Sequence, residues 1–369
     1  MRLAAALLAL VTLVRAVEPI KIGEIEPMTG KDAAFGQSSH RGVQMAIDEI
    51  NARGGVLGRL LLLVDDDNQS KPGDTATIAK KLVGRDKVAA IVSGGTSSAC
   101  LEAAPICQAA RVPFVADQAT APEVTEKRDY IFRNCFIDPF QGAMLAKFAL
   151  TKLGAKRVAV LTSVTTPYSV GLSRVFRDRF LALGGTIAAD QKYAEGDKDF
   201  RAQLTTIKAA APDAIIATGF YTEAALICKQ ARDLGLSCPL FGGDGWEAPE
   251  LMEIGGKAVE GVFYVSHYSS ESTAPEVREF VKKYRARFSG ETPDSMAPLG
   301  YDATLIVADA IARAGSTEGP KLRDALAATK NFPGVTGVTT IDSQRNASKP
   351  AVLLTVKNGK PQFVESIAP

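Results

Sequence analysis

Two patterns of hydrophobic and polar positions follow each other along most of the chain. Short runs of apolar residues indicate buried strands. Between them lie longer segments whose apolar positions recur three and four residues apart, which is typical of helices that pack one face against a sheet. In the first part of the chain the pattern predicts strands at 20–26, 60–64, 88–93 and 113–116 and helices at 38–53, 73–84 and 98–110. Strands that alternate with helices predict βαβ units and a parallel sheet.

The same alternation resumes after residue 138. It predicts strands at 157–162, 186–193, 214–218, 240–242 and 261–265, with helices at 140–153, 169–183, 200–210 and 223–234. The last third predicts helices at 275–288, 297–314 and 321–328 and extended segments at 335–341 and 351–357. A chain of 369 residues has room for about two domains. We therefore expect two α/β lobes, with the late helices crossing back to complete the first lobe.

Residues 1–16 have the layout of a secretory signal peptide. Arg2 precedes an apolar run at 3–14, and Arg15 and the small residue Ala16 follow the run. The run is too short to cross a bilayer as a helix, which needs about 20 residues. We therefore predict export to the periplasm with cleavage near Ala16, and an uncleaved apolar anchor is the alternative.

Charge and histidine content disfavour several classes of function. The chain has 43 Lys and Arg against 41 Asp and Glu, and removing residues 1–16 takes away Arg2 and Arg15 but no acid, which leaves 41 against 41. This balance gives no reason to expect a nucleic-acid partner. Only two histidines are present, His40 and His267, and no nucleophile motif accompanies them. We therefore expect no enzymatic activity, no cofactor and no metal.

None of the five cysteines stands at a zinc-binding spacing. Cys100 and Cys107 would lie on one helix about 10 Å apart by helical rise, which is too far for a disulfide. Export permits the pairs Cys107–Cys135 and Cys228–Cys238, but buried free thiols are the favoured interpretation.

The candidate binding groups lie just after the predicted strands. The glycine-rich segment 93–98 ends a strand and begins a helix, so its backbone N–H groups and the hydroxyls of Ser97 and Ser98 form a candidate anion site, with helix capping as the alternative. Other strands are followed by the segments 117–120, 163–168, 220–221 and 242–246. Ligands of open α/β sheets bind at the carboxyl ends of strands. These segments offer hydroxyls, one carboxylate and aromatic rings but no pair of base and nucleophile, which favours recognition of a small zwitterion with an apolar part over catalysis.

Long stretches of the chain resemble one family of transport proteins. In order between about residues 20 and 357 they include IKIGEIEPMTGKDAAFGQSSHRGVQMAIDEINARGGVLG, LLLVDDDNQSKP, RNCFIDPFQG, GGDGWEAPEL and GYDATLIVADAI. The sequence resembles the exported solute-binding proteins of branched-chain (hydrophobic) amino acid ABC transporters, which have the type I periplasmic-binding-protein fold.

The resemblance implies an α/β, two-lobed Venus-flytrap fold in which each lobe is a three-layer sandwich around a parallel sheet. We expect lobe 1 to comprise residues 17–137 and 268–344, and lobe 2 to comprise 138–267 and 345–369. The implied protein is a monomer that captures a branched-chain or other hydrophobic amino acid in the interlobe cleft, closes on it and delivers it to an ABC permease. The alternatives are a ligand-sensing protein of the same fold and a transport protein for an aromatic acid or amide.

The resemblance also assigns roles to residues of the cleft. Ser97 and Thr120 stand where the family holds the ligand carboxylate. The backbone of Gln118 and the carboxylate of Asp244 would hold the ammonium group, and Tyr168 would line the cleft.

The other residues expected at the site concern its side-chain end and the segments next to these groups. Phe35 and Phe220 stand where the family often carries tyrosines, so the side-chain end of the pocket would be more apolar here. Trp246 would add a bulky wall beside the acid, and Ser98 and Ala119 complete the predicted set.

Overall fold

The computed structural model describes residues 18–93 and 95–368, so the predicted signal peptide lies outside the described residues. The first part of the described chain alternates strands and helices. The strands are β1 (Ile20–Glu26), β2 (Leu61–Asp67), β3 (Ala90–Ser93), β4 (Phe114–Ala116) and β5 (Ile131–Arg133). The helices are α1 (Ala33–Ala52), α2 (Asp74–Lys81) and α3 (Ser97–Ala110). The strands form a parallel sheet in the order β2-β1-β3-β4-β5.

The second part of the chain repeats the alternation. Its helices are α4 (Asp138–Thr151), α5 (Pro167–Ala182), α6 (Arg201–Ala209), α7 (Tyr221–Asp233) and α8 (Pro249–Gly255). Its strands are β6 (Arg157–Ser163), β7 (Thr186–Tyr193), β8 (Ala214–Thr218), β9 (Leu240–Gly242) and β10 (Phe263–Ser266). These five strands pair in parallel.

The last part of the chain contributes helices that pack on the first sheet and strands that extend the second. Its helices are α9 (Pro275–Arg287), α10 (Met296–Ala314) and α11 (Gly319–Ala327). Its strands are β11 (Phe332–Gly334), β12 (Gly337–Ile341), β13 (Ala347–Ser348), β14 (Ala351–Lys357) and β15 (Lys360–Ile367). Strands β11, β12 and β13 form a small sheet, and β14 and β15 extend the second sheet to the order β15-β14-β10-β9-β8-β6-β7.

The second sheet is mixed, which corrects the prediction of a parallel sheet in each lobe. Strand β14 runs antiparallel to β10, and β15 runs antiparallel to β14. The turn between β14 and β15 is Asn358-Gly359, and both residues have positive φ, 54° and 70°. A two-residue Asn-Gly turn matches the twist of a hairpin, so the chain reverses there and pairs with itself.

We call lobe 1 the five-stranded sheet with its helices, and lobe 2 the seven-stranded sheet with its helices. Both faces of the first sheet are covered, because Ile20 and Ile22 of β1 pack with α1, α10 and α11 while Ile25 packs with α2 and α3. Helices α1 and α10 approach closely at Gly42, where a Cβ would lie 1.8 Å from the carbonyl oxygen of Ala297. In lobe 2 one continuous apolar cluster joins the helices to the sheet. The predicted two-lobed α/β fold is thus confirmed.

Helix α1 begins at Ala33, before the predicted start at residue 38. Pro27, Gly30 and Gly36 suggested a loop in this stretch. Gly36 is nevertheless helical. The carbonyl oxygen of Pro27 lies 2.4 Å from the position that a Cβ would occupy, so this point of the helix has no room for a side chain. A glycine therefore lets the helix begin directly against the loop that precedes it.

The cysteines and the length of the helices were also subjects of the sequence-based predictions. All five cysteines are free thiols, and only Cys238 is not fully buried. Across residues 18–93 and 95–368, no helix combines the length and the apolar character that a bilayer crossing requires.

Candidate functional site

A cavity of about 290 Å³, part of it open to solvent, lies where the two lobes face each other. It is lined by loops and helix starts that follow parallel strands of both sheets, the usual place for a ligand in open α/β folds. The lining residues are Phe35, Gly95, Thr96, Ser97, Gln118, Thr120, Tyr168, Phe220, Asp244, Gly245 and Met296. A cavity in this position favours a small ligand.

Seven of the ten predicted site residues line this cavity, and three do not. Ser98 faces a neighbouring polar cavity at the cleft mouth. Ala119 is buried and contributes its carbonyl oxygen to the support of the loop. Trp246 forms no wall of the cavity, because its ring is fully buried against Gly242, which has no side chain to exclude it, and its Nε1 donates to Ala217 O at 3.0 Å.

The lobe 1 side of the cavity presents hydroxyl and amide groups. Thr96 caps α3, since its hydroxyl accepts a hydrogen bond from Ala99 N at 3.4 Å. The hydroxyl of Ser97 accepts from Ala121 N at 3.2 Å, which leaves its own proton free to donate. The Nε2 group of Gln118 is buried and has no hydrogen-bond partner among the described residues. This side therefore offers donors suited to a carboxylate.

Arg133 supports the loop that carries Thr120. Its guanidinium is fully buried and donates to Ala119 O at 2.6 Å and to Ala121 O at 2.8 Å. Because both carbonyls flank Thr120, the arginine fixes the position of the threonine without lining the cavity.

The lobe 2 side presents a carboxylate with neutral donors. Asp244 lies in a single helical turn after β9 and is buried. Its Oδ1 accepts from Gln141 Nε2 at 2.9 Å, and its Oδ2 accepts from His267 Nε2 at 3.0 Å. Tyr168 lies beside it, with a hydroxyl that accepts from Gly245 N at 3.0 Å. In the part of the chain that the structure describes, no lysine or arginine forms an ion pair with Asp244.

A second carboxyl group, that of Asp138, lies behind the first. Gln141 Nε2 donates to Asp138 Oδ1 at 2.8 Å as well as to Asp244, so one amide joins the two acids. Burial, reinforced by the charge of Asp244, raises the pKa of Asp138 to about 8. Asp138 is therefore largely protonated at neutral pH, and Asp244 carries the negative charge of this side. Within the described ranges, no three His, Cys, Asp or Glu side chains converge as metal ligands would.

The remaining lining is apolar and aromatic. The ring of Phe220 stacks on Tyr168 with centroids 5.4 Å apart and meets Phe35 edge-on at 5.8 Å. Met296, the first residue of α10, adds an unbranched apolar side chain. The cavity therefore has a polar end with donors and an acid and an apolar end that fits a hydrocarbon side chain.

The two lobes touch each other around the cavity. The hydroxyl of Tyr221 in lobe 2 donates to Lys31 O in lobe 1 at 2.7 Å, and the Lys31 ammonium pairs with Glu195. Farther along the cleft, Ser295 donates to both carboxylate oxygens of Glu247, at 3.0 Å from its N and 2.7 Å from its Oγ. This is the closed arrangement of a two-lobed protein.

The sequence profile of a family described as "Periplasmic binding protein" matches residues 19–361. The chain belongs to this family. Members of the family are solute-binding proteins, and the two lobes with a cavity between them agree with that assignment.

Individual relatives are similar over nearly the whole chain. The Leu/Ile/Val-binding protein BraC3 of Rhizobium johnstonii is 31% identical over 87% of this chain and 87% of its own length. The crystal structure of a leucine-binding protein, LivK, from Thermotoga maritima has a TM-score of 0.91 and 42% identity and covers 95% of this chain and 99% of that one. A branched-chain amino acid transporter substrate-binding protein, LivJ, from Streptococcus pneumoniae in complex with isoleucine gives 0.90 and 36%, covering 95% and 100%.

Sequence reasoning missed several residues of this binding-protein cleft. Gly95, Gly245 and Met296 line the cavity, while Gln141 and His267 support its acid. Gln141 lies in the stretch RNCFIDPFQG that carried the family resemblance, so a signal for it was present. Met296 and His267 stand in no recognisable motif and reach the cleft only through the path of the chain.

A group of acids lies at the mouth of the cleft. Asp32 in lobe 1 is 5% exposed, and Glu195 and Glu223 approach it from lobe 2. Burial first, then the charge of Glu195, raises the pKa of Asp32 to about 7, although Lys31 and a hydrogen bond to Ser70 oppose the shift. Because Glu195 and Glu223 belong to lobe 2, closure of the lobes contributes to this rise in the pKa of Asp32.

We expect ligand affinity to depend on pH through Asp32. A carboxyl whose pKa is higher in the closed state takes up a proton on closing, so its contribution is fully present near pH 4 and is lost as pH rises to about 7. Calorimetric titrations across this range should show affinity falling with pH, by at most about tenfold per pH unit. Asp32→Asn should remove the fall, whereas Asp178→Asn, at an exposed acid of α5, should leave it intact. An unchanged profile in Asp32→Asn would show that closure does not titrate this group.

Proposed function

We propose that this chain captures a branched-chain or similar hydrophobic L-amino acid in the interlobe cleft and delivers it to an ABC permease. Asp244 carries the proposal: a buried carboxylate on the cavity wall whose hydrogen-bond donors within the described chain are all neutral. A carboxylate in such a place requires a cation from elsewhere. The ammonium group of an amino acid supplies that charge directly at the site.

The opposite wall supports the carboxylate end of the same ligand. Ser97 keeps a free hydroxyl proton, and the Nε2 group of Gln118 has no partner within the described residues. Thr120 lies between carbonyls that Arg133 holds in place. We therefore propose that Ser97, Gln118 and Thr120 bind the ligand carboxylate, with the backbone of Gln118 also free to accept from the ammonium.

The apolar end supports a hydrocarbon side chain. Phe35, Phe220 and Met296 enclose it. Two of the most similar structures are a leucine-binding protein and a substrate-binding protein in complex with isoleucine. Leucine, isoleucine and valine are therefore the first ligands to test.

Closure follows from the placement of the two charged ends. The ammonium group meets Asp244 from lobe 2, while the carboxylate meets donors from lobe 1, so only a zwitterion bridges both lobes. Closure removes water from both contacts and strengthens them. Opening restores the water, so binding and release need no chemical step, and we propose no enzymatic activity.

The proposal also covers the location, the oligomeric state and the hinge of the protein. We propose export, with cleavage near Ala16, to the periplasm or cell exterior, and action as a monomer that presents its closed form to the permease. The lobe boundaries at 137/138, 267/268 and 344/345 belong to the same proposal, because these crossings would act as the hinge.

A thermal-shift panel tests the proposed ligand class. L-leucine, L-isoleucine and L-valine are compared with 4-methylpentanoate (leucine without its ammonium group) and with benzoate. A ligand at 100 times its Kd stabilises the protein by about 2.7 kcal/mol, which raises Tm visibly. We expect the amino acids to raise Tm and the two acids without an amine to leave it unchanged. A panel in which only benzoate or 4-methylpentanoate raises Tm would contradict the proposal.

A further inference from the structure

We propose that His267 is the positioning residue of the ammonium site: its neutral imidazole donates to Asp244 and orients the carboxylate without competing for the ligand. The inference rests on the proposed function, since it concerns how the same site holds its charge. It adds a residue that does not line the interlobe cavity and that contacts its acid.

The carboxylate of Asp244 accepts hydrogen bonds from Gln141 and His267. One proton of the Gln141 amide goes to Asp138 and the other to Asp244, so the amide has nothing further to give. His267 Nε2 supplies a second donor to Asp244, at 3.0 Å, and the hydroxyl of Tyr168 is a further hydrogen-bond neighbour of this carboxylate. Because an ionised carboxylate only accepts, Nε2 carries the proton, and Nδ1 has no hydrogen-bond partner among the described residues. The imidazole is therefore the neutral Nε2–H tautomer.

The surroundings of His267 keep it neutral. The side chain is fully buried, and its desolvation lowers its pKa despite the hydrogen bond to Asp244. The charge of Lys349 acts in the same direction. Asp138 faces Asp244 through Gln141, and Tyr168 and Cys135 also adjoin it. The pKa values of all three are raised, so Tyr168 and Cys135 are neutral and Asp138 is largely protonated at neutral pH.

The site requires an uncharged hydrogen-bond donor beside Asp244. A buried carboxylate keeps its charge when donors stabilise it, and a lysine or arginine would do this most strongly. Such a cation would also neutralise Asp244 and occupy the place of the ligand ammonium. An imidazole held neutral by burial stabilises the charge and leaves it available.

The position of the ring also links the site to the lobe connections. His267 follows β10 directly, in the segment that leads to α9, and its ring stacks on Phe136 at 3.8 Å with an interplanar angle of 17°. Phe136 lies between β5 and α4, in the first connection between the lobes. The donor of Asp244 is thus fixed by two of the segments that join the lobes.

Affinities of three proteins for L-leucine test the proposal by calorimetry at neutral pH. His267→Leu removes the donor at similar volume, and His267→Gln replaces it with an amide N–H. His267→Leu should weaken binding by about tenfold to a hundredfold, the range for hydrogen bonds to charged groups. His267→Gln should retain most of the affinity.

The outcomes separate this inference from the proposed function. A glutamine variant as weak as the leucine variant would show a merely structural role and overturn the inference alone. If wild-type protein binds no L-leucine, the proposed function fails and the inference fails with it.

Nuclear magnetic resonance of the wild-type histidine rings gives a test that does not depend on the variants' folding. His40 is the only other histidine in the chain, so the two ring signals are readily assigned. We expect His267 to remain the neutral Nε2–H tautomer from about pH 6 to about pH 8, with and without L-leucine. An imidazolium or an Nδ1–H tautomer would overturn the inference.

Discussion

Replacing Asp244 with asparagine is expected to weaken L-leucine binding by about 2–5 kcal/mol, the usual cost of removing one partner of a buried charge pair. Asparagine keeps the size of the side chain and removes its charge, so the ligand ammonium would be desolvated without a counter-charge. Affinity for 4-methylpentanoate should change far less, because that molecule has no ammonium group. The preference of the protein for leucine over its des-amino analogue should therefore largely disappear, as measured by calorimetry.

The matched control is Asp178→Asn, which removes the same charge from an exposed position on α5. It should leave both affinities unchanged, since exposed charges act weakly through water. Equal leucine-to-analogue ratios in wild type and Asp244→Asn would show that the ammonium group lies elsewhere.

Replacing Trp246 with alanine is expected to lower the free energy of unfolding by about 3–5 kcal/mol, as for other fully buried aromatic side chains. The indole is 0% exposed, packs against Gly242 and donates to Ala217 O. Its removal would leave a void in lobe 2 and break the hydrogen bond to Ala217 O. Urea unfolding followed by circular dichroism measures the change.

Leu181→Ala is the control for this prediction. Leu181 is 52% exposed near the end of α5, so its truncation should change the free energy of unfolding by no more than about 0.5 kcal/mol. If Trp246→Ala kept wild-type stability and admitted larger ligands such as L-tryptophan, Trp246 would be a wall of the cleft after all.

Much of the fold could be predicted because its signals are local. The apolar runs of β1, β6 and β8 mark buried strands, and the helices between them show their packing faces in the sequence. The start of α1 could not be placed, because the need for Gly36 comes from the carbonyl of Pro27, a contact that exists only after folding. Strand β15 was missed although its Asn358-Gly359 turn is a strong hairpin signal.

The residues of the site likewise divide into those that the sequence could predict and those that it could not. Residues that follow strand ends, such as Ser97, Thr120 and Asp244, could be predicted because the topology brings those ends together. Met296 and His267 come from distant parts of the chain, and no local pattern points to the cleft. Trp246 was expected at the cavity because it is close to Asp244 in the sequence. Within the single turn Asp244–Trp246, however, the side chain of Asp244 lines the cavity and that of Trp246 is buried in the core.

A crystal structure of the protein grown with L-leucine tests the central claim most directly. We predict one leucine between the lobes, with its ammonium nitrogen at about 2.7–3.2 Å from a carboxylate oxygen of Asp244. Its carboxylate should face Ser97 and Thr120, and its side chain should lie among Phe35, Phe220 and Met296. A leucine bound in the reverse orientation, or an interlobe cavity that stays empty while leucine binds elsewhere, would contradict the account.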